Sequence, residues 1–526
     1  MKKIIYALLI FTTVVFAACK KTPKNGGTNG GTTTISANDP GTTLDKIKDS
    51  VFLYAQEDYL WFNSLPSYAN FKPRTFTGAD DKTALTKELN AISQIAINPA
   101  TGQPYEYYDS QGDAKYSFID NGQVSSELNG NRGDFGFAPL YNQINDLRIK
   151  YVYPGSPADL AGIKRGYQIT SINGNSNLSY DAQGYGTGTS TNLNFVINAY
   201  SNSNTISMTL LKPDGTTLTV TNMSVANYSV NPVLKYTTFN EGNGHIVGYI
   251  VFNSFTSDAN ADPQLDAAFT YFANQGVTDL AVDLRYNGGG YVSTAEYLDN
   301  LIVPAGKTGT LMYNTYYNST LQAGKAVLLK NQWRQIPGTT QDYNYGQFDY
   351  SVAGNAVNFS KKGTLAVNRV FFIITGSTAS ASELTINNLR PEMDVQFIGE
   401  QSYGKPVGFF DIDINVYQMY TPEFYTQNSA GQGGYYSGFT PGTTSYPGVG
   451  DYDDVTKDFG DPAEGLLAHV LSYVKTGTYA VKTPIIQSVP GKTFALQSKK
   501  EVSKALDAGK FNGMVMNKAL KLKKGL

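Results

Sequence analysis

A serine-rich stretch at residues 376–383 follows an apolar run at residues 370–374 and precedes an apolar helical pattern that ends at Pro391. The run predicts a buried strand, and the pattern predicts a helix. Ser380 would then lie where a strand turns into a helix N-terminus. Backbone N–H groups are unpaired there, and the helix dipole favours negative charge. A nucleophile beside such donors suits acyl-transfer chemistry. The alternative is that Ser380 or Ser382 only caps the helix.

Lys405 follows Ser380 by 25 residues, after a second predicted strand at residues 395–399. The chain has only two histidines, His245 and His469, and neither lies in a recognisable catalytic context. Because a Ser-His-Asp enzyme would need one of them, the composition favours lysine as the base. Such a lysine must be neutral near pH 7, which burial can achieve by lowering its pKa. The alternative is a surface lysine in a Gly-Lys-Pro turn.

The segments TASASE (residues 378–383) and GEQSYGK (residues 399–405) resemble the active-site region of the C-terminal processing, or tail-specific, serine peptidases. This resemblance implies that Ser380 is the nucleophile and that Lys405 is the general base. Two motifs match at the separation that the family has, so we treat the resemblance as specific.

One position departs from the family pattern. The family commonly carries a glutamine four residues after the lysine, and Phe409 stands there in this chain. Either Gln418 or Glu383 could orient Lys405 instead, and the sequence leaves both open.

A glycine-rich segment, DLRYNGGG (residues 283–290), follows another predicted strand and precedes a predicted helix. It lacks the G-x-G-x-x-G and Walker patterns, so a nucleotide site is disfavoured. The segment resembles the DLR-x-N-x-GG motif of the same peptidases. That resemblance implies an oxyanion hole formed by the N–H groups of Gly289 and Ala381, with Gly290 as a substitute for Gly289.

Residues 149–174 resemble a PDZ domain through a Pro-Gly-Ser-Pro-Ala turn, an Ala-Gly-Ile segment and a terminal Ile-Asn-Gly. Tyr167 replaces the usual aspartate. PDZ domains bind chain ends by adding the peptide to a sheet edge. We therefore predict that Phe135, Gly136 and Phe137 form the loop that holds a terminal carboxylate, the alternative being that both phenylalanines are only core.

The N-terminus is typical of an export signal. Lys2 and Lys3 precede a short apolar run, and Ala17, Ala18 and Cys19 follow it. The arrangement resembles a bacterial lipobox and predicts lipidation at Cys19, the alternative being simple secretion. The enzyme would then be lipid-anchored to a membrane of the cell envelope, facing the periplasm or the surface.

The predicted fold class is α+β and multidomain, with an N-terminal helical domain, a PDZ-like β domain and an α/β peptidase core of the ClpP/crotonase type. Tyr-, Asn- and Gly-rich residues 310–366 are predicted to be an insertion near the site, and the C-terminal extension has no assigned role. The predicted boundaries are 1–19 for the lipoprotein signal peptide, 20–41 for a flexible tether, 42–125 for the helical domain, 130–229 for the PDZ-like domain, 231–480 for the catalytic core and 481–526 for the C-terminal extension.

Composition narrows the function further. The chain has 526 residues, a formal net charge of −2 and one cysteine, so an intramolecular disulfide is ruled out and no nucleic-acid partner is indicated. No cofactor and no metal are expected. Together with the resemblances above, the expected function is a serine endopeptidase of the cell envelope that cleaves protein or peptide substrates presented by their C-terminal tails, through a Ser380–Lys405 dyad. The alternatives are an inactive peptide- or ligand-binding lipoprotein on the same fold and, from tyrosine content alone, a glycan-binding envelope protein.

Overall fold

The computed structural model describes residues 36–108, 112–181, 191–335, 340–480, 506–507, 511–517 and 522. The predicted signal segment, most of the predicted tether and Cys19, the predicted lipidation site, lie outside these residues, so the expectations about them stay predictions. Within the described ranges, no helix combines the length and apolar character needed to cross a bilayer.

The N-terminal region begins with helices and continues with short strands. Thr42 caps the first helix, since its hydroxyl accepts from the Asp45 N–H at 3.1 Å and the Asp45 carboxylate accepts from the Thr42 N–H at 2.9 Å. The predicted helices are present, but the described residues from Gln94 to Asp120 form turns and short strands rather than helix. The elements are α1 (Thr43–Asp58), α2 (Tyr68–Phe71), α3 (Asp81–Ser93), β1 (Ile97–Asn98), β2 (Gln103–Pro104) and β3 (Phe118–Asp120).

The next region is a β domain around an antiparallel five-stranded sheet of order β5-β6-β7-β8-β9. It has a buried apolar cluster of its own, which includes Phe135, Ile149 and Val196. Its elements are α4 (Gln123–Leu128), β4 (Asn131–Asp134), β5 (Phe137–Gln143), β6 (Asp146–Val152), α5 (Pro157–Leu160), β7 (Gln168–Ile172), α6 (Thr191–Ser201), β8 (Thr205–Leu211), β9 (Thr217–Ser224) and β10 (Ala226–Ser229).

The α/β core is built on a six-stranded sheet of order β11-β12-β13-β19-β20-β25, in which only β11 runs antiparallel to its neighbour. The core elements up to β19 are β11 (Val233–Gly242), β12 (His245–Phe252), α7 (Asp258–Asn274), β13 (Asp279–Asp283), β14 (Gly289–Tyr291), α8 (Val292–Ile302), β15 (Leu311–Tyr317), α9 (Ser319–Gln322), β16 (Trp333–Gln335), β17 (Asp342–Asn344), β18 (Ala356–Asn358) and β19 (Arg369–Ile374). The remaining elements are α10 (Ala381–Leu389), β20 (Asp394–Gly399), β21 (Val407–Gly408), β22 (Ile412–Ile414), β23 (Tyr417–Tyr420), β24 (Phe424–Asn428), β25 (Gly448–Gly450), α11 (Gly465–Thr476) and β26 (Gly513–Val515).

Strand β19 shows why the predicted apolar run lies at the centre of the molecule. Val370, Phe372 and Ile374 pack on one face with helices α7, α8 and α10, whereas Phe371 and Ile373 pack on the other face with α11. Because side chains alternate along a strand, a sheet covered on both faces needs a continuous apolar run. The predicted α+β fold class is confirmed.

Two segments differ from expectation. The predicted insertion at residues 310–366 contributes β15 and β18 to a second sheet of order β18-β15-β24-β21, and Tyr313 and Tyr317 are buried in the main core. It is therefore part of the scaffold. Strand β3 of the N-terminal region pairs with β23, which binds that region to the catalytic core.

Candidate active site

The three predicted catalytic segments meet at one edge of the central sheet. Parallel strands β13, β19 and β20 are neighbours, and the loops after their carboxyl ends carry Gly289, Ser380 and Lys405 respectively. This edge is where open parallel sheets bind ligands. The fold thus gathers residues that lie more than a hundred positions apart in the chain.

The turn at Ser380 is strained and tightly held. Ser380 has φ +58° and ψ −105°, which L-residues rarely adopt, at a cost of about 1–3 kcal/mol. The Thr378 hydroxyl donates to the Leu284 carbonyl at 2.7 Å, and the Ala379 N–H donates to the Asn287 carbonyl at 3.0 Å. Strain at a site that its neighbours hold in place is consistent with a functional rather than a merely capping serine.

The Ser380 side chain is buried at the N-terminus of α10. Within the part of the chain that the structure describes, its Oγ atom has no hydrogen-bond partner. The neighbouring Ser382 hydroxyl, in contrast, donates to the Asn287 carbonyl at 3.0 Å. Of the two serines in the motif, Ser380 is therefore the one whose hydroxyl is uncommitted.

The fully buried Glu383 carboxylate joins the serine turn to the lysine loop. Its Oε2 atom accepts from the backbone N–H of Ser380 at 3.0 Å and of Lys405 at 2.8 Å. Its Oε1 atom accepts from the Ser402 hydroxyl at 2.5 Å and from the Gly404 N–H at 2.7 Å. Burial raises the pKa of Glu383, while these four donors act in the opposite direction. One carboxylate thus fixes both backbones.

The Lys405 amine is completely buried and contacts carbonyl groups rather than carboxylates. Its Nζ atom donates to the Asn512 carbonyl and, at 3.4 Å, to the Tyr116 carbonyl. Burial, reinforced by the nearby charge of Lys115, lowers the pKa of Lys405 well below its usual value, although the charges of Glu106 and Glu383 oppose that shift. Burial gives this lysine the direction of shift that a general base requires.

The position where the resemblance implied glutamine holds an aromatic ring against the amine. The Lys405 Nζ atom lies 4.0 Å from the centroid of the Phe409 ring. The Gln418 side chain is engaged by other residues: its NH₂ group donates to the Asp413 carboxylate at 3.1 Å, and its side-chain oxygen accepts from the Tyr420 hydroxyl at 3.2 Å. Of the two candidates for orienting Lys405, Glu383 is the one that contacts it, because the Glu383 carboxylate accepts from the backbone N–H of Lys405.

The backbones of Gly289 and Ala381 approach each other closely. Gly289 has φ +107°, and a Cβ added to it would lie 3.0 Å from the Ala381 nitrogen. A side chain at this position would therefore clash, which explains the glycine. The Gly289 N–H donates to the Asn287 side chain at 2.9 Å in this arrangement. Next to it, Gly290 is closed in by Phe255, whose carbonyl oxygen lies 2.0 Å from where a Cβ would be.

Residues that the sequence did not indicate brace the lysine loop. The Tyr116 hydroxyl donates to the Gly404 carbonyl at 2.7 Å, and the Tyr403 hydroxyl donates to the Lys115 carbonyl at 2.8 Å. These contacts come from the N-terminal region, where no local motif marks them.

Both histidines lie in structural contacts. His469 is buried on α11 with its Nε2 atom 2.9 Å from Asp451, and His245 lies 3.2 Å from Asp279. Among the described residues, no cluster of three or more His, Cys, Asp or Glu side chains is arranged to hold a metal ion.

The predicted carboxylate-binding loop, at residues 135–137, is packed into the β domain. Phe135 and Phe137 are buried in the β domain, and the Gly136 N–H donates to Asp134 at 2.7 Å. A Cβ on Gly136 would lie 2.0 Å from that of Ser156, so this glycine permits close packing. The role of the loop in peptide binding stays a prediction.

Comparison with known proteins agrees with the motifs. Residues 246–429 match peptidase family S41, and residues 148–184 match the PDZ domain family. Among solved structures, one provisionally assigned S41 protease from Bacteroides fragilis NCTC 9343 superposes with a TM-score of 0.54 at 22% identity. It covers 82% of this chain and 97% of that chain, and it shows the shared fold.

Two curated proteins are similar in sequence. The chain is 24% identical over 265 residues to a carboxyl-terminal-processing protease of Picosynechococcus sp., covering 50% of this chain and 51% of that protein. It is 28% identical over 270 residues to a chloroplastic C-terminal processing peptidase of Tetradesmus obliquus, covering 49% and 48%. The chain spans about half the length of these relatives. The predicted resemblance to the C-terminal processing peptidases with a PDZ domain is confirmed.

Proposed function

We propose that this chain, with its S41 peptidase segment and its PDZ segment, is a serine endopeptidase of the cell envelope that cleaves protein substrates presented by their C-terminal tails. One observation carries the proposal: a single Glu383 oxygen holds the backbones of Ser380 and Lys405, the first with an unbonded hydroxyl and the second with a buried amine.

The chemistry begins with a proton transfer. Neutral Lys405 takes the proton of the Ser380 hydroxyl as Oγ bonds to the substrate carbonyl carbon. The N–H groups of Gly289 and Ala381 stabilise the negative oxygen, which requires Gly289 to release the Asn287 side chain. The Lys405 ammonium then gives its proton to the departing amine. Lys405, now neutral again, takes a proton from water as the water oxygen attacks the ester carbonyl of the acyl-enzyme. The C–Oγ bond then breaks, and the Lys405 ammonium returns the proton to Ser380 Oγ.

The β domain would supply the substrate end. A PDZ domain captures an extended C-terminal segment at a sheet edge, and the predicted carboxylate loop is at residues 135–137. The envelope location rests on the predicted signal and on lipidation at Cys19. No nucleic-acid partner enters the proposal.

The test is degradation of an unfolded protein that ends in an apolar C-terminus. Wild type is expected to cut it, and Ser380→Ala and Lys405→Ala are expected to be inactive while folded. Ser382→Ala is the matched serine control and should keep measurable activity, because the Ser382 hydroxyl is engaged by a carbonyl. If the two dyad variants cleave as wild type does, the dyad is refuted. If no form cleaves at any pH, the inactive peptide-binding alternative replaces the proposal.

A further inference from the structure

A strand from the end of the chain runs through the candidate active site. Strand β26 pairs in parallel with β14, so that Gly513 lies opposite Gly289 and Met514 lies opposite Gly290. The Gly513 N–H donates to the Gly288 carbonyl at 2.9 Å. The segment thus extends the backbone of the predicted oxyanion loop.

The same segment bonds to the opposite wall of the site. The Phe409 N–H donates to the Met514 carbonyl at 2.9 Å, and the Met516 N–H donates to the Phe409 carbonyl at 3.0 Å. Met514 is completely buried, and Val515 and Met516 are nearly so. Main-chain pairing on both sides, with side chains in apolar pockets, is how a groove holds an extended peptide.

The segment also contacts the reacting groups. The Lys405 amine donates to the Asn512 carbonyl and makes no hydrogen bond to Ser380 among the described residues. The Gly513 carbonyl oxygen lies 2.3 Å from where a Cβ on Gly289 would be, and the Ala381 nitrogen lies 3.0 Å from the same point. The Gly513 carbonyl therefore lies against the Gly289 backbone while the Lys405 amine is engaged by Asn512.

An upstream part of the extension is attached to the β domain. Leu506 is buried in the apolar cluster of that domain, and Asp507 forms an ion pair with Lys150 at 2.7 Å. Asp507, Phe511 and Asn512 then line a cavity between the β domain and the oxyanion loop. The extension therefore runs from the β domain towards the site. A substrate held by its C-terminus would run the opposite way.

We propose that residues 511–517 are an intramolecular inhibitor that occupies the substrate groove and holds Lys405 away from Ser380. This inference rests on the proposed peptidase function. Activity then requires release of the extension, and exogenous substrates compete with it for the same main-chain donors and acceptors.

The test uses the full chain with Met514→Asp, which places a charge in a fully buried position and should expel the strand. Leu522→Asp is the matched control, because it adds the same charge to the same extension at a position that is 44% exposed. We expect Met514→Asp to raise kcat/KM for an unfolded protein substrate by about tenfold or more, since the competent fraction rises. Leu522→Asp should stay near wild type. Equal kcat/KM in all three proteins would overturn the inference.

Gly513→Val serves if Met514→Asp does not fold. A Cβ at Gly513 would lie 2.4 Å from the Phe511 ring and 2.8 Å from the Phe409 ring, so the strand should be weakened without an added charge. We expect a smaller rise in kcat/KM, and an unchanged value in a folded Gly513→Val protein would contradict the inference.

A binding measurement separates failure of the inference from failure of the peptidase function. A fluorescent peptide of residues 509–519 should bind Met514→Asp more tightly than wild type, whose groove is occupied, and a scrambled peptide should bind neither. This result would support the inference even in a protein that cleaves nothing. Equal binding of the peptide to both proteins, or binding to neither, would overturn it.

Discussion

Two buried basic side chains, Arg285 and Lys405, have opposite surroundings. Arg285, directly after β13, is fully buried and bonds to Asp283, Glu464 and Asp453. Burial opposes its charge, but these carboxylates raise the pKa of Arg285 well above its usual value. Lys405 is buried to the same degree and, among the described residues, makes no ion pair. Its pKa is lowered by burial.

Arg285 and Lys405 differ in their bonding partners rather than in how deeply they are buried. A buried cation with carboxylates against it stays charged and holds chain segments together. A buried amine that faces carbonyls and an aromatic ring can lose its proton and become a base. Arg285 links β13 to the start of α11, whereas the Lys405 amine donates to the backbone carbonyls of Asn512 and Tyr116.

The largest expected effect comes from making Lys405 resemble Arg285. Lys405→Arg replaces the amine with a guanidinium that stays protonated and cannot accept a proton, so kcat/KM for an unfolded protein substrate should fall on the order of 10³-fold. Lys361→Arg is the control, because Lys361 also has its pKa lowered by burial, to about 8, but lies away from the site. Wild-type activity in folded Lys405→Arg would contradict the assignment of Lys405 as the base.

Removing the paired cation should instead cost stability. Arg285→Leu leaves Asp283, Glu464 and Asp453 with a buried deficit of positive charge, and the free energy of unfolding should fall by about 3–5 kcal/mol. Urea unfolding measures the change. The more exposed Arg148, which pairs with Asp146, provides Arg148→Ala as a control with an expected loss of about 1 kcal/mol or less. A loss as small in Arg285→Leu would show that the network is not structural.

A smaller effect is expected from substitution of Glu383, whose carboxylate accepts from the backbone N–H groups of both Ser380 and Lys405. Glu383→Gln places an amide NH₂ against N–H donors of the lysine loop and shifts Ser380 relative to Lys405. We expect kcat to fall by up to about 100-fold with a much smaller change in KM, because a positional error acts on the chemical step. A KM effect alone would assign Glu383 to substrate binding instead.

The smallest effect is a pH dependence of stability. Since the pKa of folded Lys405 lies below its usual 10.5, the unfolded chain binds a proton that the folded chain lacks at pH values between the two. Wild-type stability relative to Lys405→Met should therefore rise with pH in that window, by up to about 1.4 kcal/mol per pH unit, and level off above 10.5. Parallel stability curves, from urea unfolding at each pH, would show that Lys405 stays charged.

Local patterns in the sequence were sufficient for the strand and helix around Ser380 and for the glycine loop. The apolar run at residues 370–374 predicted a buried strand, and the structure has β19 there. The loop at Gly289 needs a residue without Cβ, which the triple glycine supplies.

Long-range contacts were beyond prediction. Tyr116 supports the lysine loop from nearly 300 residues away, and no periodicity marks it. The C-terminal extension as a whole, residues 481–526, is basic, so its short apolar run from Met514 to Met516 carried no recognisable signal. Residues 94–120 were expected to be helical, but β3 finds its partner in β23 of another region.

If neutral Lys405 activates Ser380, the reactivity of the Ser380 hydroxyl must depend on the protonation state of Lys405, and a labelling rate measures this. The measurement is the pH dependence of the rate at which a serine-directed fluorophosphonate labels Ser380, followed by mass spectrometry in wild type and in Met514→Asp, each with and without Lys405→Ala. We expect the rate of labelling at Ser380 to rise with pH, with an apparent pKa below 10.5, and labelling to disappear in both Lys405→Ala proteins. An unchanged labelling rate in the Lys405→Ala proteins would contradict Lys405 as the base, and labelling of another serine would contradict Ser380 as the nucleophile.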